Sequence, residues 1–441
     1  MTTAEGQPAE AEAEPESGAE TGRSMSMIAL WSLVAAFGTY FCMYTFRKPF
    51  TAAVFREGSI WGLEEKTVLV TAQVFGYTIS KIVGIRVIAE LPPSRRASGI
   101  LVLNGSALVA LLLFAVVPSP LHVLCLFVNG LALGMVFGMV LGFVEGRRST
   151  EALAAGLCGS FILADGVAKS VGTWLLGLGV SERRMPGMAG LMFVPPLLLF
   201  VGMLTRIPPP DRRDVERRGH RSAMDRHDRA ALLIKYGPGL LLVVLAYLLI
   251  TVLRNIRADF MTELWRGLGV DAVPATFANS ELLVMLFVLV ANGMSVLILD
   301  NRRAFFASIA TAFSGGVMML LALVALRQHW VGGFAFMVLI GTGLYLPYVA
   351  IHTTVFERLI AMTRDRGNLG FLMYVADSAG YLGYAGLMIA RGLLPTGESF
   401  MTFFAVTCGI VAVLTSVSLA VSWGFFARKV ASIEAVGGNS A

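Results

Sequence analysis

Tyr40, Tyr44 and Arg47 recur as Tyr247, Thr251 and Arg254, with the same i, i+4, i+7 spacing 207 residues later. That spacing puts the three side chains of each set on one face of a helix. Both sets lie in apolar stretches. A charge near the centre of a bilayer costs roughly 3 kcal/mol on insertion scales, so such a residue faces a wet cavity and serves a purpose there. Arginine suits anion binding because its planar fork meets carboxylate or phosphate oxygens bidentately and does not lose its proton. Two arginines from separate parts of one chain can clamp a single anion.

Other polar residues follow the same logic. Lys48 stands beside Arg47, and Gln73, Tyr77 and Lys81 form an i, i+4, i+8 stripe on a further apolar segment. Asp165 and Lys169 are spaced i, i+4 in the order that pairs well on a helix. Their counterpart in the second part of the chain is Asp377 with Tyr381, at an offset of 212. Arg95-Arg96-Ala97 recurs as Arg302-Arg303-Ala304 at an offset of 207, and loop insertions account for the difference. His352 follows Tyr345 and Tyr348 and is the one histidine of five expected within the membrane. If Arg47, Lys81, Lys169 and Arg254 face one cavity they supply +4, and Asp165 with Asp377 supplies −2, leaving +2. A phosphate monoester carries about −1.5 to −2 near neutrality, and a dicarboxylate balances as well. Two placements stay open. The first helix either runs through Arg47, setting it near mid-depth, or ends at Phe46 with Arg47 and Lys48 reaching outward; Lys81 either faces the cavity or extends to the cytoplasmic interface.

The elements that must position these residues are membrane helices. Of 441 residues 56% are hydrophobic and 15% charged, and the mean hydropathy is +0.73; this is the composition of a polytopic membrane protein. Twelve apolar stretches are expected to span, at 26–54, 67–89, 97–117, 121–144, 152–180, 187–206, 237–263, 277–299, 304–326, 331–357, 368–392 and 399–427. The chain divides into an acidic disordered tail (1–25), a six-helix bundle (26–206), an Arg-rich cytoplasmic linker (207–236), a second six-helix bundle (237–427) and a short tail (428–441). Basic residues cluster in alternate connections, which puts both termini in the cytoplasm of a bacterial-type inner membrane. The net charge of +6 therefore follows topology and does not point to nucleic acid. Gly130, Gly134, Gly138 and Gly142 form a small-residue stripe suited to close helix packing.

No GxxxxGK[ST] phosphate loop and no metal-ligand spacing occurs in the sequence. Neither catalysis nor a cofactor or bound metal is expected. All four cysteines, Cys42, Cys125, Cys158 and Cys408, fall in predicted spans, which argues against a disulfide framework.

The predicted fold is all-α and transmembrane: a twelve-helix bundle of two six-helix pseudo-repeats, the parallel-repeat plan of the major facilitator superfamily. Three segments carry a closer resemblance: Tyr44-Thr45-Phe46-Arg47-Lys48-Pro49-Phe50, Phe75-Gly76-Tyr77-Thr78-Ile79-Ser80-Lys81, and Leu253-Arg254 followed by Asp259. They resemble the organophosphate:phosphate antiporter family of that superfamily, and the chain also resembles poorly characterised bacterial relatives. The resemblance implies that Arg47, Lys48, Lys81 and Arg254 belong to the binding region, with the two arginines gripping phosphate. Asp165 stands where that family usually carries a histidine.

The expected function is secondary transport of a small organic anion, phosphorylated or carboxylated, with protons or inorganic phosphate as coupling ion. The partners expected are that anion and the lipid bilayer, and the protein is expected to be monomeric. A sensor that binds without transporting, or an exporter of lipids or drugs, are the alternatives.

Overall fold

A computed structural model describes residues 16–55, 58–144, 150–208, 226–298, 300–363, 370–393 and 399–438. Residues 1–15 of the predicted tail, the basic pair Arg147-Arg148 and residues 209–225 of the predicted linker lie outside them. The first half contains α1 (Glu16–Thr45), α2 (Glu65–Glu90), α3 (Pro93–Phe114), α4 (His122–Leu133), α5 (Val136–Val144), α6 (Thr150–Gly177), α7 (Met185–Met192) and α8 (Val194–Thr205). The second contains α9 (Arg226–Asp259), α10 (Met261–Gly267), α11 (Pro274–Val296), α12 (Asn301–Arg327), α13 (Gly333–Ala350), α14 (Phe356–Thr363), α15 (Gly370–Leu393) and α16 (Phe400–Gly438). Helices α4 and α5 together make the fourth span, and α13 continues through a π-helical turn (Ile351–Val355) into α14.

Ten spans are long and apolar enough to cross a membrane, and the pair α7 and α8, bent by 43°, makes an eleventh. Pro195 and Pro196 open α8 and account for the bend, since proline cannot donate to the preceding turn. Helix α15, which carries Asp377, Ser378, Tyr381 and Tyr384, is the twelfth. Large apolar side chains such as Val102, Leu199, Val290 and Val406 stand well exposed on α3, α8, α11 and α16, as a lipid-facing surface requires. The protein is an integral membrane protein with a twelve-helix bundle.

Several boundaries differ from the expected ones. Helix α1 begins at Glu16, inside the segment read as a disordered tail. Helix α9 starts at Arg226 within the expected linker, and α16 runs to Gly438 beyond the expected end at 427. The largest difference is in the first span. It stops at Thr45, turns through Phe46–Lys48 and continues as a 3-10 turn, Pro49–Ala52, before a two-stranded hairpin, Ser59–Ile60 with Leu63–Glu64.

Two seams join the halves: α2 lies along α15, and α6 lies along α11. At the second seam Ser170 Oγ donates to the Pro274 carbonyl at 2.5 Å and accepts from the Ala278 N–H at 3.1 Å. The end of the bundle that carries the 49–64 connection is closed across the halves. Lys48 pairs with Asp259, Lys66 Nζ meets Glu263 Oε1 at 2.6 Å, and Arg391 reaches Glu64 at 3.9 Å.

Within the first half, α2 and α4 approach at backbone contact. A Cβ at Gly130 would collide with the Gln73 carbonyl, and one at Gly76 with that of Phe127. The glycine stripe thus brings Gln73 within 2.7 Å of Asn129. Gln73 Nε2 then donates to the Arg47 carbonyl at 2.9 Å, and Asn129 Nδ2 to those of Phe46 (2.9 Å) and Ala107 (3.1 Å). Those two amides satisfy carbonyls that the end of α1 leaves open.

Two expectations follow. Gly130→Ala should cost about 1 to 3 kcal/mol through overpacking, whereas Gly105→Ala, with no atom near the added carbon, should be neutral; thermal unfolding in detergent checks both. Lys66→Met or Glu263→Met alone should destabilise the closed end more than the double substitution does, because one change leaves a charge without its partner. Equal or additive effects would show that the pair does not act as a unit.

Candidate functional site

Arg47 sits immediately past the end of α1, with its N–H on the Tyr44 carbonyl at 3.0 Å. The helix does end as the outward-reaching alternative has it, yet Arg47 and Lys48 are only 1% and 2% exposed. Gln73 and Asn129 hold the turn from behind, so the side chain points into the bundle. Its Cζ stands 3.8 Å from the centre of the Tyr77 ring and 5.9 Å from those of Tyr44 and Tyr381. Such stacking stabilises a desolvated cation by about 2 kcal/mol. Arg47 Nε and Nη2 are buried without a hydrogen-bond partner.

Arg254 comes from the other half, inside α9. Its Nη2 donates to Tyr381 Oη at 3.1 Å and to Asn255 Oδ1 at 3.3 Å. Its Cζ lies 4.5 Å from the Tyr348 ring centre and 5.8 Å from that of Phe161, and its Nε lacks a partner. Tyr381 therefore joins the two guanidiniums. Aromatic rings wall the space around them. Tyr40 packs edge-on against Tyr44 at 5.5 Å, and Phe161 stacks on Tyr44 at 6.3 Å and meets Tyr348 edge-on at 5.8 Å.

Beside the arginines lies a polar chain that crosses the seam between α2 and α15. Lys81 Nζ, 5.4 Å and 5.0 Å from the Tyr77 and Tyr381 ring centres, pairs with Asp377 Oδ2. Asp377 Oδ1 accepts from Tyr247 Oη at 3.1 Å, and Tyr247 Oη is 3.4 Å from His352 Nδ1. Lys81 faces the interior and not the interface. His352 occupies the π-helical turn, stacked on Tyr348 at 5.8 Å. A π turn offsets the side chains that follow it, a device frequent at functional sites.

The remaining predicted residues do other things. Lys48 is held by Asp259, which also accepts from Tyr384 Oη at 2.9 Å. Asp165 and Lys169 pair with each other along α6 at 2.6 Å. Gln73 serves the backbone of the α1 turn. Arg257 and Glu281, absent from the expectations, form a bidentate pair at 2.6 and 3.1 Å; Glu281 reads in sequence as an ordinary helix-start acid. His122, not among the residues expected to act, is fully buried at the start of α4, 2.8 Å from Glu65 Oε1.

Among the described residues, the buried cations sort into two kinds. Lys48, Lys66, Lys81, Lys169 and Arg257 each face a carboxylate, from Asp259, Glu263, Asp377, Asp165 and Glu281. Arg47 and Arg254 face aromatic rings and no carboxylate. The space between the halves thus carries two guanidiniums that form no direct ion pair with a carboxylate of the described residues. That arrangement can bind a small anion.

The overall structure is similar to that of the proton:xylose symporter XylE of the major facilitator superfamily bound to 6-bromo-6-deoxy-D-glucose. The identity is 14%, the TM-score 0.64, and the match covers 91% of this chain and 96% of that one. It is similar as well to the nucleoside transporter NupG, at 13% identity and TM-score 0.55, covering 90% and 100% of the two chains. A peptide transporter, POT, in complex with alafosfalin gives 14% and 0.57, covering 90% and 98%. The fold is therefore that of the major facilitator superfamily. No curated protein is similar to the chain in sequence. Residues 49–429 match a family of unknown function, and the protein belongs to that family, DUF5690.

Proposed function

We propose that the protein is a secondary transporter that moves a small organic anion by alternating access, with Arg47 and Arg254 as the two arms of an anion clamp. The observation that carries this reading is the pair of buried guanidiniums, one from each half, that meet tyrosine rings where the neighbouring cations meet carboxylates. A buried charge without a partner is costly, and an anion bearing two charges removes that cost in a single event. Because the arms come from different halves, binding couples directly to rocking of one half on the other.

Two facts support transport in particular. The solved structures that share this fold are, by their own descriptions, carriers of a sugar, nucleosides and peptides. The closed end, with Lys66 on Glu263, spans both halves, as a gate must. With the basic connections in the cytoplasm of a bacterial-type inner membrane, that end faces outward and the state described has its outer gate shut. The resemblance of the three arginine and lysine segments to organophosphate:phosphate antiporters makes a phosphorylated anion the first class to test, and dicarboxylates the second.

Thermal unfolding of the purified protein against phosphate esters and dicarboxylates tests the clamp. An anion at a hundredfold excess over its dissociation constant should stabilise the wild type by about 2.7 kcal/mol. Arg47→Lys and Arg254→Lys keep the charge and lose the fork, so each should weaken that anion at least tenfold, about 1.4 kcal/mol. Unchanged affinity in both variants would remove the clamp, and binding without counterflow in proteoliposomes would make the protein a receptor.

A further inference from the structure

Lys81, Asp377, Tyr247 and His352 form a chain that the clamp itself does not need. It starts at a cation resting on the same two tyrosine rings, Tyr77 and Tyr381, as Arg47. It crosses the seam between the halves at the pair of Lys81 with Asp377 and ends at His352, which is only half-buried. Asp377 is touched by Lys81 from α2 and Tyr247 from α9; behind them stand His352 of the π turn, against Tyr247, and Tyr381 of its own helix, which Tyr77 and Arg254 reach. Lys81 is the one cation paired to it, so anything that draws Lys81 away leaves a carboxylate in a dry site with no counter-charge.

An anion in the clamp does that. It brings negative charge to the rings on which Lys81 already rests, and a lysine on a flexible stem swings where an arginine fork is fixed. We propose that Asp377 takes up one proton for each anion bound, so that the transporter is an anion–proton symporter. This assignment rests on the clamp reading and names its coupling ion. The transfer balances without any other reactant. Solvent gives a proton to His352 Nε2, His352 Nδ1–H passes its proton to Tyr247 Oη, and the Tyr247 hydroxyl proton goes to Asp377 Oδ1. Tyrosine ends neutral, histidine ends as its other neutral tautomer, and the carboxylate has become a carboxylic acid. Lys81 then joins Arg47 and Arg254 on the anion.

Asp165 is the contrasting case. Its partner Lys169 is on the same helix, fully buried, and the pair does not cross between the halves, so anion binding leaves it closed.

Calorimetry of anion binding in two buffers of different ionisation enthalpy counts the protons taken up. The probes are succinate and glycerol 3-phosphate at about pH 8, where both are largely ionised. The wild type should take up close to one proton per anion, and Asp165→Asn the same. Asp377→Asn should bind with none, and Lys81→Met combined with Asp377→Asn, which leaves no lone charge behind, should also bind with none. Binding without proton uptake in the wild type, or undiminished uptake in either Asp377 variant, overturns the assignment and leaves the clamp standing. If neither probe binds the wild type, the clamp for these two anion classes and the symport assignment built on it both fall.

Discussion

A charge removed from water inside a bundle must find a counter-charge or face a large penalty, and that constraint arranges the interior of this protein. Lys48, Lys66 and Lys81 of the first half meet Asp259, Glu263 and Asp377 of the second, so the halves are held together largely by their need to neutralise one another. Packing does the rest, through the seams of α2 with α15 and α6 with α11. The ion pairs do not make the assembly very stable, since a buried pair recovers little more than its desolvation cost. They make it specific. A rigid-body movement of one half has to break these pairs and offer their members water or a new partner.

The same constraint explains the architecture around Arg47 and Arg254. Neither has a carboxylate, and both are cushioned by ring faces, which attract a cation but satisfy few of its N–H groups. Ring stacking is a weaker and less directional hold than a carboxylate, so the guanidiniums remain available. The tyrosines wall the space around both guanidiniums.

Much of this was legible in the sequence, and for physical reasons. Apolar stretches of span length betray membrane helices because lipid tolerates little else, and the 207-residue repeat of a tyrosine–arginine face told of two related halves. Charged residues within apolar stretches marked the interior because they could not face lipid. What the sequence hid was which buried charges pair with which, within a half as well as between the halves. Asp259 stands a few residues from a span end and Glu281 near a helix start, where acids are ordinary, and no local signal says that each is buried against a cation. The end of α1 was left open between two readings, with Arg47-Lys48 and Pro49 as the signs of a stop; hidden was that the carbonyls freed there are satisfied by Gln73 and Asn129, which lie far along the chain. Glycine spacing predicted close packing on α4 but could not name α2 as the neighbour.

One asymmetry between the repeats has its own consequence. Helix α9 carries Arg254 within its last turns and ends at Asp259, while α1 ends before Arg47 is reached. The aligned peptide dipoles of α1 therefore terminate beside Arg47, placing roughly half a negative charge there, whereas Arg254 is part of a continuing helix. The surroundings of the two arginines are thus unequal in field. Both arginines are buried, and Arg47 stands nearer a helix end than Arg254 does. On the proposed clamp, an asymmetric ligand with a doubly charged group at one end would enter in one orientation, with its denser charge toward Arg254.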